Sequence, residues 1–141
     1  MNCYYCNDKE KLDSLMLKIC DLRTSTLYLF KDQKHKGKCI LVFNQHKTEI
    51  FQLTELEKQN FMSDISDAAE AIYNIYNPDK INYAIYGDIV SHLHMHLTPK
   101  YINGPEWGMA FKDSIKPIEL SDYEYNENIL KIKNFLLNNI K

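Results

Sequence analysis

The sequence predicts one α+β domain, an antiparallel sheet of about five strands with helices packed on one face. Three observations carry that reading. Runs rich in β-branched, aromatic and aliphatic residues recur in pairs, at 24–43 and again at 81–98. Between the two pairs, one stretch repeats its apolar residues at steps of four and three. The chain of 141 residues is the size of one ordinary domain and shows no repeat, low-complexity tract or linker.

Taken in order, Leu12, Leu15, Met16 and Ile19 recur at helical spacing and predict a short amphipathic helix over 8–20. Thr24–Phe30 and Lys38–Phe43 read as a hairpin across the polar stretch Lys31–Gly37. Thr54-Glu-Leu-Glu57 is a capping box, and Phe61, Ile65, Ala68, Ile72 and Ile75 follow on one face until Asn77-Pro78 stops the helix. Ile81–Tyr86 and His92–Thr98 are two further strands flanking Gly87. Residues 99–120 hold three prolines, two glycines and the only tryptophan, and a connection that long is more often functional than idle. Ser121-Asp-Tyr-Glu124 is a second capping box, opening a helix whose buried stripe is Ile129, Ile132, Leu136 and Ile140.

Composition narrows the function. At 45% hydrophobic and 26% charged the chain is globular rather than disordered. Its net charge of −2 argues against bulk nucleic acid and acidic lipid, which need a basic face. Arg23 is the only arginine, so phosphate would be handled by histidine, lysine and backbone N–H groups. The N-terminus has no long apolar run for secretion or membrane spanning, so the expected location is cytoplasmic. In that reducing setting Cys3-x-x-Cys6 reads as half of a metal site or as a redox pair. A redox pair expects a preceding strand, and only two residues precede Cys3, which favours metal.

The chemistry concentrates in one strand. His92, His94 and His96 alternate with Leu93, Met95 and Leu97. Residues two apart on a strand share a face about 6.6–7 Å from one another, so three imidazoles line one side while aliphatic residues anchor the other. A solvent-facing stripe would draw on Thr, Lys, Glu and Ser instead. Two functional readings remain: a shared metal ion, or a nucleophile and proton carrier acting near neutral pH in phosphoryl chemistry.

His92-Leu-His-Met-His-Leu-Thr98 resembles the His-φ-His-φ-His-φ-φ signature (φ apolar) of the histidine triad, or HIT, proteins, which are nucleotide hydrolases and transferases. Asn82-Tyr-Ala-Ile-Tyr-Gly87, Pro99-Lys100-Tyr101, and Gly37 followed nine residues later by His46 extend the resemblance to bacterial members over residues 3–107. The order of elements agrees: a hairpin, a long helix, then a strand leading to the triad strand.

The resemblance implies a HIT-like sheet with a long central and a C-terminal helix, and assigns roles. His94, the middle histidine, is the expected nucleophile at the α-phosphorus of a purine nucleotide derivative. His96 is expected to bind phosphate oxygens or the leaving group, and Asn82 and the backbone at Gly87 to position the phosphate. Phe30-x-Asp32 resembles the segment whose carboxylate binds the ribose, although Asp32 lies two residues closer to Gly37 than usual and also reads as a turn residue. Cys3, Cys6, His46 and His92 are implied as a closed structural zinc site, one zinc per chain. Cys20 and Cys39 read as small buried residues. Asp88 and Ile89 depart from the family pattern: a carboxylate beside a polyphosphate repels it unless Asp88 points away, pairs with Lys100, or meets a less charged substrate. Trp107 reads either as a cover over the leaving group or as a cap on the core. A C2 homodimer is the assembly the resemblance implies.

Overall fold

The computed structural model describes residues 2–139. Five strands, β1 (Met16–Asp21), β2 (Ser25–Phe30), β3 (Cys39–Phe43), β4 (Lys80–Ala84) and β5 (His94–Lys100), form one antiparallel sheet in the order β1-β2-β3-β5-β4. The helices are α1 (Tyr4–Asn7), α2 (Lys9–Leu15), α3 (Glu55–Tyr76) and α4 (Asp122–Asn139). Because β5 enters between β3 and β4, the histidine strand has a neighbour on each side and both its backbone edges are used.

The two faces of the sheet are covered differently. Leu27 and Leu29 of β2, Cys39, Leu41 and Phe43 of β3 and Leu97 of β5 point to one face and meet α3 and α4 in the main core. Ile40 and Val42 point the other way, into a smaller cluster with Leu12, Met16, Tyr5 and Tyr28. All five residues of β3 are therefore buried. The expected one-sided packing describes α3 and α4, while α1 and α2 lie on the opposite face.

The predicted helix over 8–20 is corrected. It ends at Leu15, and 16–21 is an edge strand paired with β2 from Met16↔Phe30 to Asp21↔Thr26, with an irregularity between Lys18 and Cys20. A helical stripe would put Met16 and Ile19 on one face, whereas Met16 joins the smaller cluster and Ile19 the main core. The open edge of β2 decides between the two readings, because it supplies backbone partners that a four-residue apolar pattern cannot reveal.

The two long helices follow their end signals. Thr54 Oγ1 accepts from Glu57 N at 3.2 Å and Glu57 Oε2 accepts from Thr54 N at 2.8 Å, completing the capping box. Asn77 closes α3 with φ of 49°, and Pro78 prevents continuation. In α4 the buried residues are Tyr125, Ile132 and Leu136; Ile140 of the expected stripe lies outside the described residues. Asp64, fully buried on α3, ties the β1–β2 turn to the helix. Its carboxylate accepts from the backbone of Arg23 and Thr24, the hydroxyls of Thr24 and Ser25, and the Arg23 guanidinium. Among the described residues no helix is long and apolar enough to cross a membrane.

The turn before β3 sets up the site. Gly37 has φ of 91°, and a Cβ there would stand 2.5 Å from the Tyr76 ring, so only glycine fits. Gln33 fills the turn, its amide donating to the carbonyls of Phe30 and Lys38 while its oxygen accepts from Gly37 N. Lys38 is thereby delivered to the start of β3.

Candidate functional site

His94 and His96 stand side by side on β5, ring centroids 5.2 Å apart, on the face away from α3. Nδ1 of His94 lies 2.6 Å from the carbonyl of His92. A carbonyl only accepts, so Nδ1 carries the hydrogen and Nε2 holds the lone pair. Burial keeps His94 below the ordinary histidine value, and it pushes His96 down to about 3, helped by nearby Lys38. Tyr5 of α1 leans across His92 and His94 at 5.3 and 5.2 Å. Asn82 of β4 pairs with Thr98, and Ala84 with His96, which puts Asn82 on the histidine face.

His92 departs from the expected continuous strand. Regular pairing begins at His94, and the residues before it bend, with Leu93 N donating to Lys47 O. The bend turns His92 into a second cluster with Cys3, Cys6 and His46, whose donor atoms all lie within 4.8 Å of one another. His92 Nδ1 is 3.4 Å from Cys3 Sγ, 3.4 Å from Cys6 Sγ and 3.2 Å from His46 Nδ1, and Cys6 Sγ is 3.3 Å from His46 Nδ1.

Those spacings can be compared with a coordination sphere. Tetrahedral zinc, bonded at about 2.0–2.1 Å to nitrogen and about 2.3 Å to sulfur, sets its nitrogens about 3.3 Å apart and each nitrogen about 3.5 Å from each sulfur. The four distances given match within a few tenths of an ångström, and all the donor atoms lie within 4.8 Å of one another. Nε2 of His92 donates to the Phe43 carbonyl at 2.7 Å, which leaves Nδ1 unprotonated and fixes the ring. The four residues can hold a metal ion, joining α1, the end of β3 and the entrance to β5.

Lys100, Asn82 and Trp107 line one open groove. The Lys100 ammonium donates to the carbonyls of Glu106 and Met109 at 2.6 and 2.7 Å, so it holds the 101–121 connection and does not pair with Asp88. Asp88 is exposed beside Gly87. Asp32 Oδ1 accepts from Lys34 N and Ile118 N, which anchors the far end of the same connection. Trp107 is 44% exposed and takes no part in the core.

A family model for the HIT domain matches residues 17–103. The chain belongs to the HIT family. Solved HIT structures share its fold. A histidine triad protein of Bradyrhizobium japonicum superposes with a TM-score of 0.82 at 24% identity, covering 89% of this chain and 94% of that one. One from Marinobacter aquaeolei gives 0.82 at 23% identity over 92% and 94%. A Zn-bound histidine triad family protein of Mycobacterium smegmatis gives 0.66 at 17% over 98% and 95%. No curated protein sequence matches the chain.

Beyond the HIT motif, four residues at the site carry no sequence signal of their own. Phe111 lays its ring 5.1 Å from His96 and 5.7 Å from Tyr86. Lys38, 6% exposed, places its ammonium 3.8 Å from the Phe111 centroid and 4.7 Å from that of Phe30. Glu106 binds the Lys34 ammonium at 2.7 Å and Lys112 N at 2.8 Å, and is held down to about 2 as a result, against the opposing effect of its desolvation. Tyr5 is placed by its neighbour Cys6, so the cysteine spacing was the one available hint for it.

Proposed function

We propose that this HIT protein is a nucleotide hydrolase or nucleotidyl transferase acting at the α-phosphorus of a purine nucleoside phosphate derivative: a dinucleoside polyphosphate, a phosphoramidate or an adenylylated amine. The observation that supports it best is His94. Its Nδ1 is committed to the His92 carbonyl, so its other nitrogen is a nucleophile of fixed tautomer, beside His96 and on a face shared with Asn82. Family membership supports nucleotide binding in general; the reaction and substrate are this reading's own.

In the proposed cycle Nε2 of His94 attacks phosphorus, forming an N–P bond as the bond to the leaving group breaks and its electron pair departs with that group. Water, or another acceptor, then attacks the nucleotidyl-histidine, restoring the imidazole and releasing a mononucleotide and a proton. His96 and Asn82 orient the phosphate oxygens, and the backbone at Gly87 contributes an N–H, work that is mostly positioning and charge stabilisation. Cys3, Cys6, His46 and His92 would hold one zinc. A closed four-ligand site has no place for a catalytic water, so the metal would be structural and would keep α1, with Tyr5, against His94.

Incubation with a panel of adenosine and guanosine phosphate derivatives tests the reading: release of mononucleotide is expected, and none from any member would reject it. A second reading has its own observation, since Phe111 lies over His96, and the exposed Asp88 places a carboxylate beside Gly87. In that case the chain binds nucleotide without turning it over. We propose a C2 homodimer in the cytoplasm. Edge strand β4 and the exposed Tyr83 and Tyr73 support pairing, and a 16.7 kDa species in sedimentation would reject it.

A further inference from the structure

We infer that Lys38 is a phosphate-binding residue of this site, and that the Phe111 ring occupies the place the phosphate takes. The inference rests on reading the histidine face as the nucleotide site.

Lys38 is an ammonium in an unusual position. The residue is 6% exposed with its Nζ still touching solvent, and among the described residues no carboxylate comes within ion-pair distance and no hydrogen-bond acceptor meets that Nζ, although Asp113, Asp32 and Glu106 act on it from further away. Among the described residues two aromatic faces are its close partners, and a ring face replaces an anion poorly. Buried lysines are normally paired, because an isolated ammonium is costly to desolvate. The contrast with its neighbours is direct: Lys34 reaches Glu106, and Lys100 reaches two carbonyls.

Its location gives the unused charge a purpose. Ile40 pairs with His96 and Cys39 with Leu97, so Lys38 lies one step further along, beside Thr98. Alternation sets Lys38 and Ile40 on the same face as His96 and Thr98. Two polar atoms there also lack partners: His96 Nδ1 and Thr98 Oγ1 are buried without a hydrogen bond. A buried imidazole nitrogen and a buried hydroxyl without partners thus share one short stretch of the face with an ammonium that has neither ion pair nor hydrogen bond, and the ring of Phe111 lies against the ammonium and the imidazole. A phosphate brings the negative charge and the acceptor oxygens that all three can use. With Arg23 tied to Asp64 and Asp67 elsewhere, Lys38 is the cation placed to meet it. Phe111 belongs to the long connection without helix or strand, and its displacement breaks no sheet pairing.

The phosphate could be the one bearing the nucleoside or one on the leaving group, and the test separates them. Wild type, Lys38→Met and Phe111→Ala are titrated by calorimetry with guanosine and adenosine, their monophosphates, their diphosphates and inorganic pyrophosphate. Lys38→Met is expected to weaken the phosphorylated ligands at least tenfold while changing the nucleosides less than twofold. An equal loss on mono- and diphosphates assigns the α-phosphate; a loss on diphosphates and pyrophosphate alone assigns the leaving group. Phe111→Ala is expected to tighten phosphorylated ligands at least threefold, and this readout decides the matter if Lys38→Met does not fold. Equal effects on nucleosides and phosphates, or no effect of Lys38→Met, would overturn the role of Lys38, and no gain from Phe111→Ala would overturn the placement of Phe111 and, should Lys38→Met fail to fold, the whole inference. If wild type cleaves the substrate panel and these variants bind as wild type does, Lys38 is excluded while the catalytic reading stands. If Lys38→Met loses phosphate affinity but no panel member is cleaved, the reverse holds.

Discussion

Replacing Lys38 by methionine should stabilise the ligand-free protein. Burial pulls the Lys38 ammonium from its ordinary value of 10.5 to about 8, with Asp113, Asp32 and Glu106 opposing the fall and Lys34 adding to it. At pH 7 that difference costs the folded state about 3 kcal/mol, at about 1.4 kcal/mol per pH unit. The cation–π contacts with Phe30 and Phe111 return about 0.5–2 kcal/mol of it. Methionine keeps the apolar stem and removes the charge, so a net gain of about 1–2 kcal/mol is expected, or about 3–8 °C in Tm for a chain of this length. The pH dependence has a definite sign. The folded-state value lies below the unfolded one, so the unfolded chain binds more protons between about 8 and 10.5, and wild type gains stability as pH rises through that window. The advantage of Lys38→Met should therefore be largest at pH 7 and shrink toward pH 10. Thermal melts of both proteins across that range measure it. A variant that melts lower at pH 7, or a gap that does not change with pH, would refute the account of Lys38 as an unpaired buried charge.

Three further outcomes concern other parts of the molecule. Cys3→Ser with Cys6→Ser should remove about one zinc per chain by elemental analysis and lower Tm more than it alters turnover, whereas unchanged metal content and stability would dismiss the metal site. Asp64→Ala leaves the donors of Arg23, Thr24 and Ser25 without their acceptor, and a loss of about 3–5 kcal/mol in chemical denaturation is expected. Trp107→Ala should leave Tm within about 3 °C, because the ring is half exposed, while shifting the ratio of turnover among substrates with different leaving groups; a large stability loss with unmoved ratios would return Trp107 to the core.

How much of this was legible in the sequence follows from the range of the interactions involved. α3 and α4 announce themselves because their caps are local: Thr54 with Glu57 and Ser121 with Glu124 act across three residues. The histidine alternation was legible for the same reason, since strand geometry alone puts His94 and His96 on one face. Cys3, Cys6, His46 and His92 are far apart in the chain, and only the family resemblance suggested them together before the fold did so. What stayed hidden depends on partners that no short window contains. Strand β1 looks helical until the edge of β2 is present to pair with it. Lys38 looks like any strand-end lysine until Phe111, seventy-three positions later in sequence number, is seen to lie over its ammonium. Asp64 sits on an otherwise apolar helix face, and its purpose is visible only with the Arg23–Ser25 turn in place. Asp32 and Lys100 carry the residue types a nucleotide site wants, but the hydrogen bonds of Lys100 go to the connection after β5, and those of Asp32 go to that connection and to Lys34 N in its own turn.

The central claim is that His94 carries the nucleotidyl group, and it can be read directly. Wild-type protein mixed with a cleavable nucleoside phosphate derivative, quenched within milliseconds to seconds and digested under conditions that preserve the N–P bond, should yield a mononucleotide adduct on the peptide bearing His94. His94→Asn should give no adduct and lower turnover by about three orders of magnitude or more while still binding nucleotide. An adduct found on His96, or wild-type turnover with His94→Asn as active as the parent, would contradict the account.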